Sequence, residues 1–260
     1  MTTGGERVSR VLLLAGHEPT GRAGLLADVA AVRAMGGTPV AVPTAQTAQG
    51  STTFLWEATP ARVLRAQVAA ARELGPLHAV KLGMVPDAAR LSAIQEALDG
   101  VEAWWVVDPV VRTSRGQLLS KLSVRHYLGL AGPRVVLTPN LDEAAWLLGL
   151  PAVRTVEEAA KAGRALVEHG FGAVLVKGGH RARGAVDVLC IPGRTRLLTG
   201  KRVPRTPERR GTGCRLASAL SVELGRGSSM EASARRAKAH VARYLRTGVH
   251  PDAESVGQGS

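Results

Sequence analysis

The sequence predicts an α/β protein whose mostly parallel central sheet carries helices on both faces. Three observations support this prediction. Apolar runs typical of buried parallel strands alternate with helical patterns along almost the whole chain. Polar residues follow the ends of those runs, and no linker or internal repeat divides the 260 residues. We therefore expect one domain over residues 10–246, a flexible tail at 1–9 and a disordered tail at 247–260.

The predicted strands are mainly aliphatic runs that end in polar or glycine-rich turns. They lie at residues 10–16, 39–45, 78–84, 104–111, 134–140 and 172–180. Residues 186–198 alternate and are broken by Pro192 and Gly193, which predicts an antiparallel hairpin. The segments at 16–24 and 46–50 are interpreted as polar loops.

Capping residues predict where the helices begin. The first helix follows the 16–24 loop, has an apolar side from Leu25 to Met35, and stops at Gly36 and Gly37. The other predicted starts are Thr59-Pro60, Pro86, Asn140-x-x-Glu143, Thr155-x-x-Glu158, the turn before Cys214 and Ser228-x-x-Glu231. In a parallel sheet, ligands bind beyond the carboxyl ends of the strands, which is where the polar turns are expected.

The composition argues against two classes of partner. The formal net charge is +13, but the arginines are scattered and form no basic block flanked by aromatic residues, so we expect no nucleic-acid partner. No window approaches the apolar length of a membrane span, and the run VLLLAG after the N-terminus is short for a signal peptide. Two distant cysteines suggest a reducing compartment, so we expect a cytoplasmic protein.

The stretch RRGTGCRLAS at 209–218 is the most informative one for chemistry. Gly211-Thr212-Gly213 forms a tight turn that leads into a helix, and the free N–H groups of a helix start bind anions. The same field favours the thiolate of Cys214, and Arg209, Arg210 and Arg215 add positive charge. The turn therefore offers an anion cradle and a candidate base. The alternative is a glycine turn that enters a core helix with a small buried cysteine.

Seven stretches together resemble the hydroxymethylpyrimidine/phosphomethylpyrimidine kinases of thiamine synthesis, in the ribokinase-like superfamily. They are residues 15–28, 44–50, 81–84, 106–111, 137–148, 174–180 and 211–214. The resemblance implies a ribokinase-like fold of three α/β/α layers. It also implies ATP- and Mg²⁺-dependent phosphorylation of a pyrimidine hydroxymethyl group, a second phosphorylation to the diphosphate, and a homodimer.

The resemblance also implies roles for residues that match the family's motifs. Cys214 is the base that takes the proton of the substrate hydroxyl, and Gly211, Thr212 and Gly213 form the anion hole for the transferred phosphoryl group. The residues implied around ATP and magnesium are Asp108 and Glu143 for the metal and Asn140, Lys177 and Thr212 for the nucleotide. For Glu143 the alternative is a plain helix cap, and for Lys177 it is a surface lysine.

A second group of matching residues is implied in the pyrimidine pocket. These residues are Gly16, Asp28, Gln49, Met84 and Val110. A carboxylate and an amide suit the donors and acceptors of an aminopyrimidine, and a thioether packs well on its ring. The alternatives are a solvated helix residue for Asp28 and ordinary core packing for Met84.

The chain departs from the family at the proposed phosphate end. His17 and Glu18 replace a Ser-Asp pair, Arg22 replaces a glycine, and Arg209-Arg210 replace Thr-His before the GTGC motif. Arg215 replaces a threonine after the cysteine, and the run at 112–116 is altered. The added arginines either bind phosphate or mark a changed substrate or lost activity. The alternative functions are therefore a pyridoxal or pyridoxine kinase and a catalytically inactive pyrimidine-binding regulatory protein.

Overall fold

The computed structural model describes residues 8–50, 52–113, 115–178, 186–200, 203 and 209–248. The predictions for His180, for most of the N-terminal tail and for the tail beyond Gly248 lie outside these residues. Both cysteines are free. Within the described residues, every helix is too short or too polar to cross a membrane.

A mixed, mostly parallel sheet forms the middle layer, which confirms the predicted fold class. In the described part of the chain it has nine strands in the order β3-β2-β1-β4-β5-β6-β7-β8-β9. Strands β2–β3, β7–β8 and β8–β9 pair antiparallel, and the other pairs are parallel. The strands are β1 Arg10–His17, β2 Thr38–Gln49, β3 Phe54–Ala58, β4 Ala79–Leu82, β5 Trp104–Val107, β6 Val135–Leu137, β7 Ala173–Val176, β8 Asp187–Ile191 and β9 Arg194–Leu198.

Helices cover both faces of the sheet because its strands are apolar on both sides. They are α1 Gly24–Ala34, α2 Ala61–Glu73, α3 Ala88–Ala97, α4 Val124–Leu128, α5 Leu141–Leu147, α6 Val156–Glu168, α7 Thr212–Gly225 and α8 Met230–Thr247. In β1, Leu12 and Leu14 belong to the cluster packed by α2 to α6. Val11 and Leu13 of the same strand face the side of α1 and α7. This alternation is the expected period of a strand buried on both faces.

The predicted polar loop at 46–50 is wrong. Strand β2 continues to Gln49 and pairs antiparallel with β3, from Ala45 opposite Ala58 to Gln49 opposite Phe54. Thr47 is buried while Gln46 is exposed, so the polar residues still follow the period of two. The sequence lacked a signal for this extension because the partner strand supplies the hydrogen bonds.

Some helix starts were predicted correctly, and others were wrong by a residue. The capping boxes at Asn140 and Thr155 and the hairpin at 186–198 are confirmed. The Thr59 hydroxyl instead donates to the carbonyl of Pro43, and Asp87 rather than Pro86 caps α3. Ser229 rather than Ser228 caps α8, and helix α4 was not predicted.

We predict that Thr155→Ala lowers the free energy of unfolding by about 1 kcal/mol, because its hydroxyl accepts the N–H of Glu158 at 3.0 Å. Thr155→Ser keeps the acceptor and is the matched control. Urea unfolding of the three proteins checks this. A loss of the same size in the serine variant would contradict the capping explanation.

Candidate active site

Turns from distant parts of the chain meet at the carboxyl edge of the sheet. Asp108 follows β5, Lys177 follows β7, and the Gly211 turn precedes α7. A Cβ built on Gly213 would lie 3.2 Å from Lys177 Nζ and 3.8 Å from Asp108 Oδ2. The start of α7 therefore stands directly over the Asp108–Lys177 pair, as expected for a ligand site in a parallel sheet.

Gly211 makes this approach possible. It is the N-cap residue of α7 and has a φ of 70°, a left-handed conformation that favours glycine. A Cβ there would collide with the carbonyl oxygen of Arg22. Arg215 donates its N–H to the Gly211 carbonyl at 3.0 Å, so the helix begins at once. The next N–H groups have no partner within the helix and sit at the positive end of its dipole, which makes the turn suitable for a phosphate.

A compact cluster of one lysine and two carboxylates lies below this turn. Lys177 Nζ donates to Asp108 Oδ1 at 2.5 Å and lies 3.8 Å from Glu143 Oε2. Burial alone would lower the pKa of Lys177, but the two carboxylates outweigh it and hold the pKa above its ordinary value. Lys177 is therefore a fixed cation at the phosphate end.

Glu143 forms the helix cap that the sequence offered as the alternative to a metal-binding role. Its carboxylate accepts the N–H of Asn140 at 2.7 Å, and the Asn140 side chain accepts the N–H of Glu143 at 2.8 Å. Burial raises the pKa of Glu143 to about 7, with Asp108 adding to the rise and Lys177 opposing it. The capping box thus holds a carboxylate of unusually high proton affinity beside Lys177.

The donor set fits a magnesium ion that arrives with a nucleotide. Asp108 uses Oδ1 for Lys177 and Thr138, while Oδ2 faces the turn at Gly213. Magnesium usually takes only one or two carboxylates and fills its shell with phosphate oxygens and water. The described residues contain no group of three or more His, Cys, Asp or Glu side chains that would hold a metal by itself.

A cavity of about 260 Å³ opens beside the turn. Four of the five predicted pyrimidine-pocket residues line it: Gly16, Gln49, Met84 and Val110. A Cβ on Gly16 would lie 2.6 Å from the sulfur of Met84, so the glycine leaves room for the Met84 side chain in its present position. Cys214 and Thr212 form the wall on the α7 side. The cavity therefore joins the predicted ring site to the predicted base.

Asp28 is the exception among the predicted pocket residues. It is fully buried behind the cavity wall, where it accepts from Lys81 Nζ at 2.7 Å and from Ser218 Oγ at 2.8 Å. Lys81 borders the cavity in its place. The sequence prediction overlooked Lys81, although a charged residue inside the apolar run AVKLG was a usable signal.

Two departures from the family have a structural explanation. Glu18 is buried and its carboxylate accepts from Thr20 and from the N–H of Arg22, so it organises the first loop. Arg215 does not face a phosphate position. Its guanidinium donates to the carbonyls of Gly21, Arg22 and Arg210 and stacks on the ring of Tyr244 at 4.0 Å. Arg215 therefore ties the first loop to the start of α7.

The predicted bias of Cys214 towards thiolate is wrong for the protein without ligands. Burial raises the pKa of Cys214 above its ordinary value, and Asp28 and Asp108 add to the rise. Lys81 and a backbone hydrogen bond from Gly24 oppose it. The helix start alone does not overcome the desolvation of the sulfur.

Comparison with known proteins gives one consistent family. A family model described as phosphomethylpyrimidine kinase matches residues 18–259. The hydroxymethylpyrimidine/phosphomethylpyrimidine kinase of Streptomyces coelicolor is 36% identical over 244 residues, covering 92% of this chain and 89% of the relative. The Escherichia coli enzyme of the same name is 32% identical over 254 residues, covering 95% and 94%.

Solved structures of two kinases share the fold. The phosphomethylpyrimidine kinase of Clostridium difficile superimposes with a TM-score of 0.76 at 27% identity, covering 91% of this chain and 99% of that one. The pyridoxal kinase of Staphylococcus aureus in complex with ADP has a TM-score of 0.82 at 26% identity, covering 92% and 89%.

We predict that Gly211→Ala destabilises the protein by clearly more than the roughly 1–2 kcal/mol that a left-handed alanine costs, because its Cβ also meets the Arg22 carbonyl. Gly227→Ala is the matched control, since Gly227 has a φ of 88° with no atom within 4 Å of its Cβ position. Urea unfolding measures both. Equal losses would mean that the close approach at Gly211 has no energetic weight.

Glu143→Gln is expected to raise the Tm at pH 8 in the presence of EDTA. A pKa raised from 4.5 to about 7 in the fold means that the stability contributed by Glu143 is lost as the pH rises through 7. The neutral amide avoids this loss, so a gain of about 2–4 °C at pH 8 should shrink towards pH 5. Glu158→Gln, in an exposed capping box, is the control. A gain that does not depend on pH would contradict the assignment.

Proposed function

The chain belongs to the phosphomethylpyrimidine kinase family, and from this membership we propose that it transfers the γ-phosphoryl group of ATP to 4-amino-5-hydroxymethyl-2-methylpyrimidine in thiamine biosynthesis. One observation supports this proposal most directly. A ring-sized cavity, Cys214 and the Asp108–Lys177 pair all lie at the start of α7. Phosphoryl transfer depends mainly on positioning and charge stabilisation, which these groups supply.

The acceptor half of the site fits the ring. Met84 and Val110 offer apolar contact, and Gln49 offers a donor and an acceptor to the edge of an aminopyrimidine. Cys214 borders the same cavity, so a hydroxymethyl group on a ring bound there would lie within reach of its sulfur. We propose that the thiolate accepts the hydroxyl proton while the hydroxyl oxygen bonds to the γ-phosphorus and ADP leaves.

The donor half neutralises the transferred group. The N–H groups of the Gly211–Gly213 turn would hold the γ-phosphoryl oxygens, and Lys177 would pair with the neighbouring phosphates. Asn140 forms a parallel bridge with Lys177, and its side-chain N–H groups would donate to the same phosphates. Asp108 and Glu143 would hold Mg²⁺, which when bound shields the charge of the phosphates.

We also propose a second phosphoryl transfer, to the monophosphate of the pyrimidine, which uses the same donor half of the site. Arg209 and Arg210 line the cavity and offer cations to such a phosphate. We also propose a homodimer and a cytoplasmic location, in keeping with two free cysteines.

The second candidate acceptor is pyridoxal. The close superposition on the pyridoxal kinase of Staphylococcus aureus favours it, because a similar fold there accepts a different ring. The sequence relatives of higher identity carry the pyrimidine kinase name instead. A panel of hydroxymethylpyrimidine, its monophosphate and pyridoxal, followed by ADP release, separates the two, and preference for pyridoxal would overturn the pyrimidine assignment.

We predict that Cys214→Ala loses at least about 100-fold in kcat for the pyrimidine, which is the usual contribution of a positioned base. Cys190→Ala is the matched control, since Cys190 is buried between α6 and the sheet. ADP release at saturating ATP measures all three proteins. Full activity in Cys214→Ala would reject the sulfur as the base and leave the fold assignment intact.

A further inference from the structure

We propose that Lys81, held in place by Asp28 and Ser218, is the positioning residue that sets a fixed positive charge against the sulfur of Cys214 and allows it to act as a thiolate. The inference rests on the proposed function only for the use to which the thiolate is put. Its physical content concerns the charge state of one sulfur atom, which is measurable without substrate.

Lys81 is an unusual residue for its position. It lies in the central strand β4, its side chain is fully buried, and its neighbours on the strand are apolar. A buried ion pair is commonly no more stabilising than apolar residues of the same volume, because both charges lose water. Stability therefore does not explain a lysine here, whereas a requirement for local charge does.

Two contacts join helices α1 and α7, and they lie one helical turn apart on each helix. On α1, Gly24 gives a backbone hydrogen bond to the Cys214 sulfur, and Asp28 follows four residues later. On α7, Ser218 follows Cys214 by four residues and donates to Asp28 at 2.8 Å. Lys81 reaches Asp28 from β4 at 2.7 Å. The ammonium group is thus fixed at the same packed interface that holds Cys214.

Of the Lys81–Asp28 ion pair, the ammonium group is the one that borders the cavity. Lys81 and Cys214 both border the cavity, while Asp28 does not. A Cβ on Gly83 would lie 2.5 Å from Lys81 Nζ, so the glycine of the KLGM stretch makes room for it. Asp28 takes one of the three Nζ hydrogens, and in the described residues we find no second acceptor.

Charged side chains from several elements affect the pKa of Cys214. Asp28 from α1 and Asp108 from the end of β5 raise its pKa, and Lys81 opposes them. Lys177 and Arg215 also interact with the sulfur. Lys177 is compensated by Asp108 at 2.5 Å, and Arg215 is turned towards backbone carbonyls and Tyr244.

Lys81 itself stays charged. Burial would lower its pKa, but the Asp28 carboxylate outweighs this and holds the pKa above its ordinary value. Asp28 therefore acts indirectly, because it keeps Lys81 protonated and Lys81 in turn favours the thiolate of Cys214.

The test is the pH profile of Cys214 alkylation by iodoacetamide, read by mass spectrometry on the tryptic peptide Gly211–Arg215. Lys81→Met keeps the length of the side chain and removes its charge. We expect its alkylation rate at pH 8 to fall about tenfold, equivalent to a thiol pKa higher by about one unit. Ser218→Ala disturbs the same three residues without changing a charge, and its profile should stay within about twofold of the parent.

A second variant covers the case in which Lys81→Met does not fold. Lys81→Met combined with Asp28→Asn leaves no unpaired buried charge. Its thiol pKa should also rise, because Lys81 borders the cavity with Cys214 and acts on the sulfur more strongly than Asp28 does. An unchanged profile in a folded Lys81 variant overturns the proposal. So does an equal shift in Ser218→Ala, which would assign the effect to packing.

Kinase activity separates this inference from the proposed function. The alkylation profile needs neither nucleotide nor pyrimidine, so an active Cys214→Ala protein would remove the base and leave the Lys81 result to stand by itself. When both hold, the kcat of Lys81→Met should recover towards the parent value as the pH is raised, because the thiol then ionises without help.

Discussion

The close approach of α7 to the carboxyl edge of the sheet is the contact on which the site depends. It requires a left-handed residue without a Cβ at Gly211, since any side chain there meets the Arg22 carbonyl. Arg215 then fastens the first loop to the helix by donating to three carbonyls. With the helix start in place, Thr212 and Cys214 border the cavity, and Gly213 lies beside Lys177. A shift of this helix by an ångström would separate the anion cradle from the acceptor cavity, and positioning errors of that size are costly in catalysis.

Several arginines contribute to the fold through hydrogen bonds to the backbone. Arg is suited to this because its planar guanidinium presents several donors at once. Its side chains repeatedly donate to main-chain carbonyls that helices and turns leave open; the residues are Arg10, Arg72, Arg90, Arg112, Arg115, Arg215 and Arg226. These seven arginines thus donate hydrogen bonds to the backbone of the protein.

Features that depend on neighbouring residues were predicted well from the sequence, whereas contacts between distant residues were not. The strand of residues 10–16, the capping boxes at Asn140 and Thr155 and the glycine turn at Gly211 are encoded within a few neighbours, so the sequence contains them. The extension of β2 depends on pairing with β3, and the Lys81–Asp28 pair joins residues 53 apart. The hydrogen bond from Arg215 to the Arg22 carbonyl joins residues 193 positions apart. A pattern of spacing carries no information on such pairs. Matching motifs assigned Asp28 to the cavity, but they did not reveal that it pairs with Lys81.

The hairpin of β2 and β3 forms part of the wall that separates the cavity from water. Thr47 and Gln49 of β2 form part of the cavity wall, and the segment after β5 forms another part through Thr113 and Leu119. Two contacts pin these parts together: Arg115 donates to the Gly50 carbonyl at 2.9 Å, and Trp56 donates to the Leu118 carbonyl at 3.1 Å. Since water competes with the acceptor hydroxyl for the phosphoryl group, a wall that is complete only when both parts are joined favours transfer over hydrolysis. The same exclusion of water raises the pKa of Cys214, and Lys81 opposes that rise, so a drier cavity makes the ammonium group more necessary to the thiolate.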